Sequence, residues 1–163
     1  MDIKTTDDND VLFLLLDRAG RAIIRRMQAR LINSGHDVTV EQWMILLLLW
    51  LQDGVSQQFI ADFIGKDKGT ISPQIDGLER RGLVTRRTSR QDRRRKHVHL
   101  TPLGSGLQDE LIPIGIDNMK EAQAGIDPQA LTVCKQVLRD LCANLSKPLP
   151  KAASEHTGPE TQE

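Results

Sequence analysis

Three features of this 163-residue chain predict a mainly α-helical fold carrying one small β-hairpin. Apolar residues recur at three- and four-residue steps through most of its length, the spacing of helices that bury one face. Two such helices meet at Gly65 with a capping residue before each, the sequence form of a helix-turn-helix. That pair runs into two alternating segments joined by an arginine-loaded tip, the form of a wing. The predicted architecture is a winged helix-turn-helix core, with terminal helices forming a dimerisation region.

The first helix spans Val11 to Asn33, where Leu12, Leu15, Leu16, Ala19, Ala22, Ile23, Met27 and Leu31 form one stripe. Asn33-Ser34-Gly35 ends it. Thr39 and Gln42 make the capping box of a second helix through about Leu51, whose near-continuous apolarity predicts burial on most sides. Asp53-Gly54 breaks that helix, and Ser56 caps a short third one reaching Ile64. Gly65 turns the chain into a fourth helix from about Asp67 to Arg81, stopped by Gly82, with Ile71, Ile75 and Leu78 as its inner stripe.

Pro73 leaves two starts open for that helix. With Asp67 as N-cap the proline lies inside, deprives the Gly69 carbonyl of its bond and costs about 3 kcal/mol relative to alanine. With Ser72 as N-cap it is a favourable first residue. The spacing from Gly65 favours a start near Lys68, with a distorted or 3₁₀-like first turn. Leu83 to Thr88 and Lys96 to Leu100 read as two strands, with Ser89 to Arg95 as their exposed tip. Thr101-Pro102 opens a fifth helix with a kink expected at Pro113, and Asp127-Pro128 opens a sixth. The sixth carries Leu131, Cys134, Leu138, Leu141, Cys142 and Leu145 on one face. The expected division is 1–35 for the N-terminal dimerisation helix, 36–101 for the winged DNA-binding domain, 102–146 for the C-terminal dimerisation helices and 147–163 for a disordered tail.

Charge is unevenly placed along this frame. The totals balance at 22 basic and 22 acidic residues, yet nine of the basic ones lie between Arg80 and Lys96 against a single acid, Asp92. Nine minus one gives that segment +8 and leaves −8 on the rest, so a neutral total does not argue against a polyanionic partner. Acidic residues precede the first apolar run, the opposite of a secretory signal's basic flank, and the longest apolar run, Trp43 to Leu51, is about half of the roughly 18 to 20 residues that cross a bilayer. A cytoplasmic protein with no membrane partner is expected. Cys134 and Cys142 stand about 12 Å apart along one helix, too far to bridge within the chain.

At the level of motifs the sequence is similar to the MarR family of winged-helix transcriptional regulators, over roughly Val11 to Leu145. The residues that carry the resemblance are Thr39 and Gln42-Trp43; Ile60-Ala61, Asp67-Lys68, Thr70-Ile71-Ser72, Asp76, Leu78-Glu79 and Gly82-Leu83-Val84; Asp92-Arg93-Arg94; and Leu100-Thr101-Pro102 with Gly104. The resemblance implies that the fourth helix enters the major groove of double-stranded DNA while a wing-tip arginine reaches the minor groove. Lys68, Thr70, Ser72 and Gln74 are then the groove-facing candidates, since glutamine can pair bidentately with adenine and hydroxyls can serve bases or phosphate. Arg94 takes the minor-groove role, Asp92 steadies the hairpin by pairing with a neighbouring arginine, and Arg86, Arg90, Arg93 and Arg95 complete the basic surface. A homodimer would present two recognition helices to a pseudo-palindromic site. Trp43 and Met44 lie where the family's small-molecule effector pocket opens. Pro73 and Gly77 depart from the pattern: both are expected on the outward face, where relatives often carry arginine or another polar contact residue.

Other chemistries find little support. No nucleophile with a positioned base, paired carboxylates or glycine-rich phosphate cradle forms a persuasive set, so an enzyme is not expected and no cofactor is implied. His97 and His99 share one side of a strand but lack further ligands nearby, and His36 stands in a turn, so no metal site is assigned. Both cysteines fall on the apolar stripe of the last helix, where burial would make them inert rather than redox-active. The expected function is a sequence-specific repressor released by a small effector. The alternative is a winged helix used for protein interaction or sequence-neutral DNA binding.

Overall fold

The computed structural model describes residues 11–88 and 96–146. In chain order it contains α1 (Leu12–Asn33), α2 (Val40–Leu51), β1 (Val55–Ser56), α3 (Gln57–Ile64), α4 (Lys68–Arg80), β2 (Val84–Thr88), β3 (Lys96–Leu100), α5 (Pro102–Gly106), α6 (Gln108–Ala122) and α7 (Pro128–Leu145). The chain divides into two compact units, one ending at Gln123 and the other beginning at Ala124. The first is a winged helix-turn-helix with α1 and α6 packed on each other.

Local chemistry sets the helix starts. The Thr39 hydroxyl accepts from the Gln42 N–H at 3.2 Å while the Gln42 side chain accepts from the Thr39 N–H, completing the capping box of α2. Ser56, Asp67, Thr101 and Asp127 each accept a first-turn N–H through their side chains, opening α3, α4, α5 and α7. The core gathers under α2 and α4, where Ile45, Leu46, Ile60, Ile71, Ile75, Leu78 and Val98 are fully buried. Trp50 anchors α2 to the segment after the wing by donating from Nε1 to the Gly104 carbonyl at 3.0 Å.

The sheet has three antiparallel strands in the order β1-β3-β2, one more than the two expected. β1 is only two residues long, too short to show a period of two, and it forms because Val55 and Ser56 pair with Val98 and His97. A second difference lies after the wing. The helical pause falls at Leu107 and separates α5 from α6, whereas Pro113 lies within α6. The carbonyl that Pro113 leaves unbonded is that of Asp109, in the exposed first turn of α6 where water can serve it. Gly104 in α5 packs so closely on Leu83 that an added Cβ would sit 2.0 Å from the Leu83 carbonyl oxygen.

In the second unit, α7 has no buried residue, and Val133, Val137, Leu138 and Leu145 are exposed. Cys134 and Cys142 are likewise exposed and free, contrary to the burial expected of them, because the stripe they share has no cover among the described residues of this unit. In the first unit Leu12 through Leu16 of α1 are exposed as well, and only Met27 and Leu31 of that helix are buried. No helix of the described residues is long and apolar enough to cross a membrane.

Candidate nucleic-acid interface

The turn between α3 and α4 is made by Gly65, which takes the left-handed conformation at φ 71° that side chains disfavour. Asp67 then caps α4: its Oδ1 accepts the Thr70 N–H at 2.8 Å and its Oδ2 accepts the Thr70 hydroxyl at 2.7 Å. The hydroxyl bond, followed by the backbone one, holds the Asp67 carboxyl below its ordinary pKa. The helix runs on through Pro73 to Arg80, which settles the start in favour of Asp67 over Ser72. Its first turn is mixed, with the Asp67 carbonyl accepting from both Thr70 and Ile71 at 3.2 Å.

Four faces of α4 have distinct surroundings. Ile71, Ile75 and Leu78 face the core. A second face meets the start of α2, where the Thr39 hydroxyl donates to Gln74 Oε1 at 3.4 Å. Gly77 belongs to this face and is buried, which corrects its expected outward placement. A Cβ there would stand 2.8 Å from the Gln42 amide nitrogen. Arg81 closes the contact by donating from Nη2 to Gln42 Oε1 at 2.5 Å and from Nε to the Gly77 carbonyl at 3.2 Å.

The third face meets the wing through Arg86 on β2. Its guanidinium pairs with Glu79 at 2.5 Å and Asp76 at 2.6 Å and donates to the Ser72 carbonyl at 3.3 Å, with only 13% of the side chain exposed. Expected on the DNA-contacting surface, Arg86 instead ties the wing to α4. Its own N–H donates to Glu79 Oε1 at 2.9 Å, and this bond, ahead of the guanidinium, lowers the Glu79 pKa. The fourth face points outward, with Lys68, Gly69, Thr70, Pro73 and Arg80 exposed and Ser72 and Gln74 half-buried at its edges.

Lys66 beside the turn, and Arg87 and Lys96 on the strands, are also exposed. Lys68 and Lys96 line an open cavity of about 700 Å³ together with Ser56, Gln57 and Gln58 at the start of α3. The wing-tip residues Arg90, Asp92, Arg93, Arg94 and Arg95 lie outside the described residues.

Trp43 bridges α2 and α6. Its Nε1 donates to the Leu111 carbonyl at 3.0 Å, and its ring lies against Gly115, where an added Cβ would stand 2.4 Å away. With Leu47, Ile112, Ile116, Met119 and Lys120 it lines an open, largely apolar cavity of about 400 Å³. Met44, the other expected effector residue, packs against the core and is not among the residues lining that cavity. The histidines have local partners: His99 meets Asp53 at 3.2 Å and His36 meets Glu110 at 3.3 Å. Across α1 and α6, Glu121 receives Arg26 and Arg30, whose hydrogen bonds, Arg26 first, lower its pKa. Sequence patterning gave no sign of that triad, since Glu121 lies more than ninety residues from either arginine.

The model of the MarR family matches residues 38–96, the stretch from just before α2 to the first residue of β3. The transcriptional regulator TtmR of Methylorubrum extorquens is 34% identical over 82 residues, 50% of this chain and 42% of TtmR, so the chain spans well under two thirds of that relative. A solved MarR-family transcriptional regulator from Rhodococcus sp. RHA1 superposes with a TM-score of 0.76 at 26% identity, covering 84% of this chain and 96% of that one. Bordetella bronchiseptica BpsR, described as regulated in its DNA binding by 6-hydroxynicotinic acid, superposes with a TM-score of 0.73 at 25% identity over 80% and 98% of the two chains. These relatives are regulators and not enzymes. With the family model matched across the helix-turn-helix, and a solved transcriptional regulator, PA3341, 32% identical with a TM-score of 0.74 over 83% of this chain and 98% of that one, the chain belongs to the MarR family.

Proposed function

We propose that this chain is a sequence-specific, DNA-binding transcriptional regulator, a homodimer on pseudo-palindromic double-stranded DNA and a repressor released by a small-molecule effector. The observation that carries the reading is the outward face of α4, left uncovered while its other faces are fixed by the core, α2 and the wing. Lys68 and Lys96 position the duplex through phosphate, as do Arg90, Arg93 and Arg95 of the wing. Arg94 reaches the minor groove with Asp92 steadying it, Thr70, Ser72 and Gln74 stand at base edges, and Arg86 acts from behind by holding wing and helix together.

Dimerisation is supported by exposed apolar residues in each unit, Leu12 to Leu16 on α1 and Val133, Val137 and Leu138 on α7. Effector control is supported by the cavity at Trp43, with an apolar lining and Lys120 at its edge, and by the likeness to BpsR. That lining suits a small aromatic or aliphatic acid.

Selection of bound sequences from a random DNA pool tests the function. A palindromic consensus with half-sites about 10 base pairs apart is the expected result. Uniform retention of all sequences would replace this reading with sequence-neutral binding.

A further inference from the structure

We infer that α4 reads the thymine methyl group, and that Pro73 is the residue that selects it. The inference rests on the DNA-binding reading above and concerns what the helix asks of its site. A major-groove helix discriminates bases by presenting donors, acceptors or hydrocarbon to base edges, and thymine alone among the four standard bases offers a methyl there. The outward face of α4 has its cations at the two ends, Lys68 and Arg80, and between them exposes Gly69, Thr70 and Pro73, with Ser72 and Gln74 half-buried at the edges. Gly69 has no side chain, and Thr70 commits its hydroxyl proton to Asp67 Oδ2 at 2.7 Å, so an exposed Thr70 offers a base its methyl and an acceptor oxygen but no donor.

Gln74 is the residue expected to read adenine, which takes both ends of the amide. Its oxygen, however, already accepts from the Thr39 hydroxyl at 3.4 Å, so an adenine N6–H would have to share that acceptor, and the amide N–H is the unshared end. A lone donor finds an acceptor on several bases and distinguishes them poorly. At the centre of the same face stands Pro73, exposed, rigid and all hydrocarbon beyond its backbone. Proline has no N–H to donate, so the complement that this surface can find on a base edge is the thymine C5-methyl.

The test replaces thymine by deoxyuridine, which removes that methyl and leaves the pairing unchanged. In the consensus obtained by pool selection, thymines are replaced one position at a time, symmetrically or in one half-site, and affinity is measured for wild type and for Pro73→Ala. One position per half-site should weaken wild-type binding about fourfold when its methyl is lost, and about 15-fold when both half-sites are changed. Pro73→Ala, checked for unchanged thermal unfolding or gain, should bind the two DNAs within about twofold of each other, the smaller side chain falling short of the methyl. Salt-dependent binding that is indifferent to every thymine methyl, or a ratio unchanged in Pro73→Ala, overturns this inference and leaves the regulator intact. Absence of any salt-dependent DNA binding overturns both.

Discussion

Replacing Arg86 by methionine removes the charge that joins the wing to α4 while keeping an unbranched apolar stem. The guanidinium makes ion pairs to Asp76 and Glu79 and a bond to the Ser72 carbonyl, all from a side chain 13% exposed. A fully buried pair broken on one side costs about 3–5 kcal/mol. Here Asp76 and Glu79 are 48% and 38% exposed, so both carboxylates can rehydrate, and Glu79 keeps the bond from the Arg86 N–H. The expected loss is therefore about 2 kcal/mol, in the range of hydrogen bonds to charged groups. At fixed protein concentration, urea unfolding should show a midpoint lower by roughly 1 M with little change in slope. Acid sharpens the test. The folded-state pKa of Glu79 lies below its ordinary 4.5, so its contribution is present above that value and is lost as pH falls through the lower folded value. Glu79→Gln should flatten this acid limb, and Arg86→Met should flatten it only in part, because the backbone bond is the larger cause. A loss under about 0.5 kcal/mol, or an acid limb identical in all three proteins, would refute the strut.

Three further perturbations separate packing, positioning and assembly. Gly104→Ala should cost about 2 kcal/mol or more in the same unfolding assay, since its Cβ would meet backbone at Leu83, whereas Gly20→Ala on α1 meets nothing within 4 Å and should gain about 0.5–1 kcal/mol. Lys68→Ala should weaken binding to operator and scrambled DNA alike and reduce the log-log salt slope by about one, read from titrations across a salt series. Leu138→Glu should shift sedimentation from dimer to monomer and abolish retention of the palindromic site; an unchanged dimer would exclude α7 from the interface.

The elements legible in the sequence are those whose causes are local. The Thr39–Gln42 capping box, the Ser56, Asp67, Thr101 and Asp127 caps and the Gly65 turn each depend on residues within one helical turn, and each appears where the pattern placed it. Corrections fall where distant chain meets. β1 needs Val98 and His97 from the far side of the wing to exist. Gly104 marks the contact with Leu83, and the helical pause follows three residues later at Leu107. Gly77 looked like a missing outward contact because a helical wheel does not show that Gln42, thirty-five positions earlier, fills the space. Arg86 looked like one more cation of a basic wing. Its distinction lies in Asp76 and Glu79, three residues apart on α4 and brought to it by the hairpin register.

The way α4 is held also limits how an effector could act on it. One side is fixed to α2 through Thr39–Gln74 and the Gln42–Gly77–Arg81 cluster, the other to the wing through Arg86, and the inner stripe is fully buried. Tilting α4 alone would break contacts on both flanks at once. The less costly motion carries α2, α4 and the wing as one body. Trp43 lies in the same first turn of α2 as Gln42, and its ring and Nε1 join that body to α6 at Gly115 and Leu111. A ligand in the cavity beside Trp43 would therefore press on the joint rather than on the recognition helix. In the proposed dimer that joint would set the distance between two recognition helices, and effector release would then follow from spacing while the contacts around α4 stay intact. The Thr39–Gln74 and Arg86–Glu79 bonds should then persist in the liganded protein, and an effector-bound structure in which either is broken would defeat the rigid-body account.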